Sequence, residues 1–434
     1  MTQRLRRFAC LVSSGVFVAC SSGHATGGTP SAPANDVRSN LARDADPDAT
    51  DAELAAVVSA QNQLGLSLLT SEAAPSDNFV FSPTSATIAL SMLYAGARGA
   101  TATQMQAVLG DSLPSGRYHV AWNRLLLTLA SRNVAPYTSA GVEHHLQLSA
   151  ADHLWTQHGL PIVATFLDTL ARQYGSGVAL GDFVSDADGV RQTINGWVAQ
   201  QTNDRIENLF GPGSIDSTAR LVLVNALYFN GTWLGAFPQS ATAPAPFHLA
   251  SGSDVSVSMM NSEPADVPYK SSADYEVVDL PYEGAALSLS IVLPQVGHYD
   301  AVRALLGQSG GWSDLFSDLT RTHLALALPK LTYQGSSFSI RAGLEALGMT
   351  SAFADADFSG IASNAPLALE DVVQQDYLAI DENGTEAAAA TGGVVGTNAV
   401  ESVLNVTVDR PYFLFIRDAS GLVLFTAQIN DPSR

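Results

Sequence analysis

One stretch near the C-terminus, IDENGTEAAAATGGVVGTNAVESV from Ile380 to Val403, constrains this chain more than any other. Propensity favours helix for Glu386 to Ala390, because Ala and Glu lose little freedom on entering one. Gly384 precedes that run, Gly392, Gly393 and Gly396 follow it, and no apolar stripe offers a packing face. A helical run this short is marginal in water without tertiary contacts. Whatever the fold, it must accommodate a long segment of small residues just before its last strands.

The rest of the chain supplies ample core. It has 434 residues, 46% of them hydrophobic, enough for one large domain or two ordinary ones. A formal charge of −20 excludes a phosphate-binding surface for DNA or RNA, which needs a basic face. An acidic surface otherwise favours solubility and names no partner.

The N-terminus reads as an export signal over residues 1–20: Arg4, Arg6 and Arg7 precede an apolar run from Phe8 to Ala19 that is too short to span a bilayer. Phe17-Val18-Ala19-Cys20 resembles a bacterial lipobox, with Phe17 where leucine is usual, so Cys20 is the expected lipidation site. The alternative is an ordinary secretory signal cut nearby. The protein is thus expected in the cell envelope as a lipoprotein, or secreted. Both cysteines, Cys10 and Cys20, lie in this segment, which leaves the mature domain without a disulfide or a thiol nucleophile. Residues 21–51 are rich in Ser, Gly, Ala, Pro, Asp and Thr and read as a flexible linker.

From residue 52 to residue 432 the pattern is that of a folded domain. Leu54, Val57, Val58, Leu64 and Leu68 recur at helical spacing. In NFVFSPTSATIALSMLYAGARGAT, Ser82 can cap a helix that has Pro83 at its first position. Val190, Ile194, Trp197 and Val198 mark a further helix, and FSIRAGLEALGM another, ended by Gly348. Strand-like runs include RLVLVNALYFNGTW, LSLSIVLP, HLALALPKLTY, DYLAIDE, LNVTV, PYFLFIRD and GLVLFTAQI, the last two joined by a hairpin turn at Asp418 to Gly421. Helices dominate the first half and strands the second, the order of an α+β domain.

Catalytic signatures are sparse. The sequence has no H-E-x-x-H, no P-loop and no G-x-G-x-x-G after a strand. Glu143, His144 and His145 could suggest a metal, but adjacent histidines on a strand face opposite sides. His248, His298 and His323 are isolated. No catalytic residue, metal or cofactor is expected, and the chain reads as a non-enzyme.

Five stretches in order resemble the serpin family. IDENGTEAAAATGG is similar to its loop hinge; NFVFSPTSATIALSMLYAGARGAT to its N-F-x-x-S-P-x-S segment and helix; LVLVNALYFNGTWLGAF to its V-N-A-x-x-F-x-G-x-W strand. LALPKLTYQGSSFSIRAGLEALGM is similar to the L-P-K segment and following helix, and DRPYFLFIRDASGLVLFTAQINDP to the Arg-Pro-Phe ending, with Tyr412 where Phe is usual. The resemblance implies three β-sheets, about nine helices, and a reactive-centre loop exposed above the main sheet. It implies suicide inhibition of proteases, usually serine and sometimes cysteine endopeptidases. The protease forms an acyl-enzyme with the loop, and the cut loop inserts into the main sheet before water can deacylate the enzyme. The expected partner is a target protease in a covalent acyl complex, bound by a monomer. A non-inhibitory surface-binding lipoprotein with the same fold is the alternative.

That mechanism makes a physical demand on the loop. Alternate residues of a strand share a face; Thr385, Ala387, Ala389, Thr391, Gly393 and Val395 form one set, all small or β-branched, while Glu386 falls in the other, where it can stay in solvent once the loop is a strand. The resemblance assigns the hinge to Glu382, Gly384, Thr385, Glu386, Ala387, Ala388, Ala389, Ala390 and Thr391. It assigns sheet opening to Ser82, Ser85, Asn225, Trp233 and Gln374. Gln374 stands where His is common, so it could satisfy buried Ser and Asn groups without a titrating proton. Counting along the loop puts the reactive bond between Asn398 and Ala399, with Thr397 and Val400 as alternatives. Neither Arg nor Lys lies between Glu386 and Asp409, which disfavours a trypsin-like target.

Overall fold

The computed structural model describes residues 32–386 and 403–434, apart from Ser115, Ala140, Gly141, Ala151, Ser309, Asn364 and Ala365. Cys20, Ala387, Ala388, Ala389, Ala390, Thr391, Thr397, Asn398, Ala399 and Val400 lie outside the described residues. Nine α-helices and three hydrogen-bonded sheets are found among the described residues, the mixed α+β architecture expected.

Two of the sheets, each six-stranded, are the ends of one long surface. Four chain runs pass from one end to the other with a short break in each. They are Val142–Ala150 with His153–Gln157, Leu221–Val224 with Leu227–Thr232, Leu331–Gln334 with Phe338–Ser339, and Val372–Gln374 with Tyr377–Ile380. At the lower end, Val372–Gln374 pairs directly and in parallel with Leu221–Val224, Val372 opposite Leu223. At the upper end, Tyr377–Ile380 and Leu227–Thr232 are not paired with each other; the two-residue strand Gly384–Thr385 lies between them, antiparallel to both. The third sheet has ten strands and contains Leu287–Pro294, Tyr412–Asp418 and Val423–Ile429.

The helix Pro83–Tyr94 sits beneath the break. Every residue from Pro83 to Leu93 is buried, as expected of a helix apolar on all sides. It packs on His153–Gln157, Leu221–Val224 and Val423–Ile429. Ser82 caps it by accepting from the Ser85 N–H at 3.2 Å, with Pro83 at its first position. On the opposite face the helix Phe183–Gln201 covers the lower end, packing Ile194, Trp197 and Val198 with Trp155, Val222 and Val224.

The linker expected over residues 21–51 does not hold from residue 32 onward. Asp36–Val37 adds an antiparallel strand to the edge strand Val178–Gly181. Beyond it, Ser39 Oγ donates to Asp168 Oδ1 at 2.5 Å, the Asp44 N–H to the Arg172 carbonyl at 2.9 Å, and Asp48 pairs with Arg117 at 2.7 Å. Thr50 and Glu53 then form a capping box that starts the helix Asp51–Glu72. Composition measures only the apolar surface a segment can bury; this one is fixed by directional polar bonds to residues far along the chain.

Candidate sheet-opening and loop-hinge site

The hinge begins as a hairpin. After Ile380 the chain turns on Asp381, whose Oδ1 accepts from the N–H groups of Asn383 at 2.8 Å and Gly384 at 3.3 Å. This is an aspartate-built turn. The chain then runs back as Gly384–Thr385. A Cβ on Gly384 would lie 2.1 Å from the Gly231 carbonyl oxygen, so only glycine lets the hinge approach that strand so closely.

Three side chains lock this turn. Lys330 Nζ reaches Glu382 Oε2 at 2.8 Å, and Thr242 Oγ1 donates to the other carboxylate oxygen at 2.8 Å. Against the desolvation of burial, these contacts hold the Glu382 carboxyl below its usual range. Trp233 closes the top: its indole N–H donates to the Asp381 carbonyl at 2.9 Å and its backbone N–H to that of Asn383 at 2.7 Å. Its ring stacks on Tyr282 at 4.6 Å.

Thr385 is only 1% exposed and shares a 2.6 Å hydrogen bond with the Tyr282 hydroxyl. Glu386 lies just beyond the strand. In this state it is not in solvent: its side chain is 6% exposed and pairs with Arg205, which also lies over the Tyr377 ring. The cause is a backbone φ of 58°, which turns the chain out of the strand after Thr385 and breaks the alternation of faces. Burial raises the Glu386 carboxyl pKa against the pull of Arg205.

The polar residues at the break are linked partly through backbone groups: the Ser82 hydroxyl accepts from the Ser85 N–H, and Gln374 donates to the Ser82 carbonyl. Ser82 Oγ donates to the Leu424 carbonyl at 2.8 Å, and Ser85 Oγ to Asp152 Oδ1 at 3.0 Å. Asn225 Nδ2 donates to the Val373 carbonyl at 3.4 Å, across the closed lower end. Gln374 Nε2 donates to the Ser82 carbonyl at 3.1 Å and to Asp376 Oδ1 at 3.4 Å, reaching neither the Ser85 hydroxyl nor Asn225. Two aspartates, the buried Asp376 and the half-buried Asp152, therefore flank the break, each with its pKa driven well up by desolvation. The titrating groups are carboxyls, and the glutamine at position 374 does not remove them.

Elsewhere, His144 Nδ1 lies 3.0 Å from Glu283 and His145 Nε2 lies 2.7 Å from Asn230, so the adjacent histidines have separate partners. The pentapeptide Gly307–Gly311 fits G-x-S-x-G by letter, but it joins the helices Tyr299–Leu306 and Gly311–Phe316. A nucleophile elbow needs a strand leading into a helix.

A profile of the family described as Serpin (serine protease inhibitor) matches residues 59–432. The chain is a serpin. A serpin-like protein of Thermococcus kodakarensis is 33% identical over 380 residues, 87% of this chain and 86% of its own. Serpin B11 of Mus musculus is 30% identical over 378 residues, 82% of this chain and 94% of its own. The crystal structure of Serpin48 from the insect Tenebrio molitor superposes with a TM-score of 0.74 at 29% identity, covering 88% of this chain and 98% of that one. Membership supports a role of protease-inhibitor type rather than catalysis.

Sequence reasoning about this serpin missed Lys330, Arg205, Tyr282, Asp152 and Asp376. Asp376 carried a signal, an acidic residue between two apolar strand runs; Lys330 stood in a quoted motif without a role. Arg205 and Tyr282 had none, since each acts through a residue remote in sequence.

Proposed function

We propose that this serpin is a suicide-substrate inhibitor of endopeptidases, serine proteases first and cysteine proteases second. One observation carries the reading: Gly384–Thr385 is threaded between the strands Tyr377–Ile380 and Leu227–Thr232, with the Thr385 side chain buried. The small alternating set that continues from Thr385 suits extension of that strand downward.

In this reading the protease nucleophile attacks the carbonyl of Asn398, and the amine of Ala399 leaves with a proton. Thr397 and Val400 are the alternative reactive residues. The acylated loop then enters the sheet, and its Glu382–Thr391 segment leads. Inserting about a dozen residues adds roughly ten backbone hydrogen bonds at ~0.5–1.5 kcal/mol each, on the order of 10 kcal/mol downhill. A protein held above its minimum by a barrier and released by proteolysis fits this balance. The lower end must part first: the Val372–Leu223 pairing and the Asn225 bond to Val373 stand in the way. The absence of Arg and Lys between Glu386 and Asp409 favours a target that accepts small or polar residues.

The test is to mix the protein with serine and cysteine proteases and look for an SDS-resistant complex. Thr385→Arg, which would place a cation in a buried slot, is expected to convert that complex into plain cleavage at the same bond. N-terminal sequencing of the released fragment then fixes the reactive residue. A cleaved protein with an unchanged melting temperature would indicate a loop that does not insert and would favour the non-inhibitory binding lipoprotein. We place the protein outside the cytoplasm, anchored through Cys20 or secreted; palmitate labelling lost in Cys20→Ser separates the two.

A further inference from the structure

A cavity of about 560 Å³ lies between the helices Pro83–Tyr94 and Arg117–Ala130 and the strand Val142–Ala150, away from the loop hinge. Its walls are apolar where Ile88, Met92, Leu129 and Leu148 line it. That volume falls within the range of sites that enclose a small organic ligand.

Two polar groups on its lining break the rule that buried polar atoms find partners. Arg43 comes from the N-terminal segment that the composition assigned to a linker. Its Nε donates to Asn123 Oδ1 at 2.8 Å, and its stem runs alongside Gly175, where a Cβ would come within 3.2 Å of the Arg43 Cδ. Arg43 Nη2 is buried with no protein partner, and burial lowers the guanidinium pKa with no carboxylate to offset it. Asp152, on the same lining, accepts from Ser85 through Oδ1, while its Oδ2 is buried with no partner. The other charged residues here are satisfied. Arg38 pairs with Asp36 and donates to the Gly175 carbonyl, and His153 lies 3.1 Å from both Asp36 and Ser176. The unmet hydrogen-bonding capacity is thus local, at one cation and one carboxyl, while the walls between elements are greasy.

We propose that this cavity binds a small amphipathic carboxylate, its apolar body between Ile88, Met92 and Leu148 and its carboxylate on the free Nη2 of Arg43. A guanidinium with an unused donor selects an anionic oxygen over a neutral one, because charge-assisted bonds are roughly twice as strong. The apolar walls select a hydrocarbon over a free inorganic anion or water alone.

Dodecanoate, with dodecan-1-ol as the uncharged control, is the probe, titrated calorimetrically into the full chain below its micelle concentration. Saturable one-to-one binding of dodecanoate is expected, with the alcohol weaker. Arg43→Met should weaken the acid by roughly tenfold or more, the worth of one charge-assisted bond, and leave the alcohol unchanged, while Arg43→Lys should restore part of the loss. Ile88→Trp, which fills the cavity, should abolish both. Should that variant fail to fold, Arg43→Met, checked by its melting temperature, still decides. Absence of saturable binding, equal affinity for acid and alcohol, or an Arg43→Met affinity equal to wild type would each overturn the proposal.

Discussion

The hydroxyls of Thr385 and Tyr282 lie 2.6 Å apart at the upper end of the main sheet, joining the second residue of the strand Gly384–Thr385 to a ring stacked on Trp233. Thr385→Val keeps the shape and removes this bond, leaving the Tyr282 hydroxyl buried without its partner. A loss of about 1–3 kcal/mol is expected. Thermal unfolding of the uncleaved protein, compared with Tyr282→Phe and the double variant, measures it; the double variant should recover much of the loss.

Gly384→Ala drives a methyl into the Gly231 carbonyl, where a Cβ would lie at 2.1 Å. The backbone cannot yield without parting the strand pair, so the hinge is expected to leave the sheet. Hydrogen exchange at the Thr385 and Glu386 amides should then rise sharply, with little change in the ten-stranded sheet. Protection equal to wild type would contradict the close approach.

Lys330→Met leaves the Glu382 carboxyl, 7% exposed, without its cation. A partly exposed lysine tempers the effect, yet a buried carboxylate without its counter-charge still costs about 1–3 kcal/mol. The melting temperature should fall, and Glu382→Gln on that background should restore part of it.

Asp376 gives a pH dependence with a definite sign. Its carboxyl is raised well above the ordinary aspartate value of 3.8 because burial disfavours the charge. The native state therefore keeps a proton that the unfolded chain has released, and stability falls as pH rises from about 3.8 through the raised native value. Asp376→Asn should be more stable than wild type at neutral pH, with the difference shrinking toward pH 4. Melting temperatures across that range test it; parallel curves would sink the assignment.

What could be read from the sequence was whatever is local. The Ser82 cap with Pro83, the strand Leu287–Pro294, and the turn closed by the Gly421 N–H on the Asp418 carbonyl follow from short-range patterns, and the structure places them there. Pairings between distant residues left no such trace. Arg205 meets Glu386 and Arg43 meets Asn123 across long stretches of sequence, so nothing in their neighbourhoods foretold them. The fixed segment from residue 32 belongs to the same class. Face alternation does not describe Glu386 in this structure, because a positive φ at Glu386 ends the strand one residue earlier.

The parallel pairing of Val372 with Leu223 has a kinetic consequence. Under the proposed inhibitory function, with the hinge seated above it, the slow event for an arriving loop would be unzipping this lower seam, in competition with hydrolysis of the acyl bond. Residues that weaken the seam should therefore tilt the outcome toward a trapped protease, and residues that strengthen it toward a spent loop and a freed enzyme. On the proposed function, the efficiency of the encounter would thus be set deep in the sheet, by side chains the protease never touches.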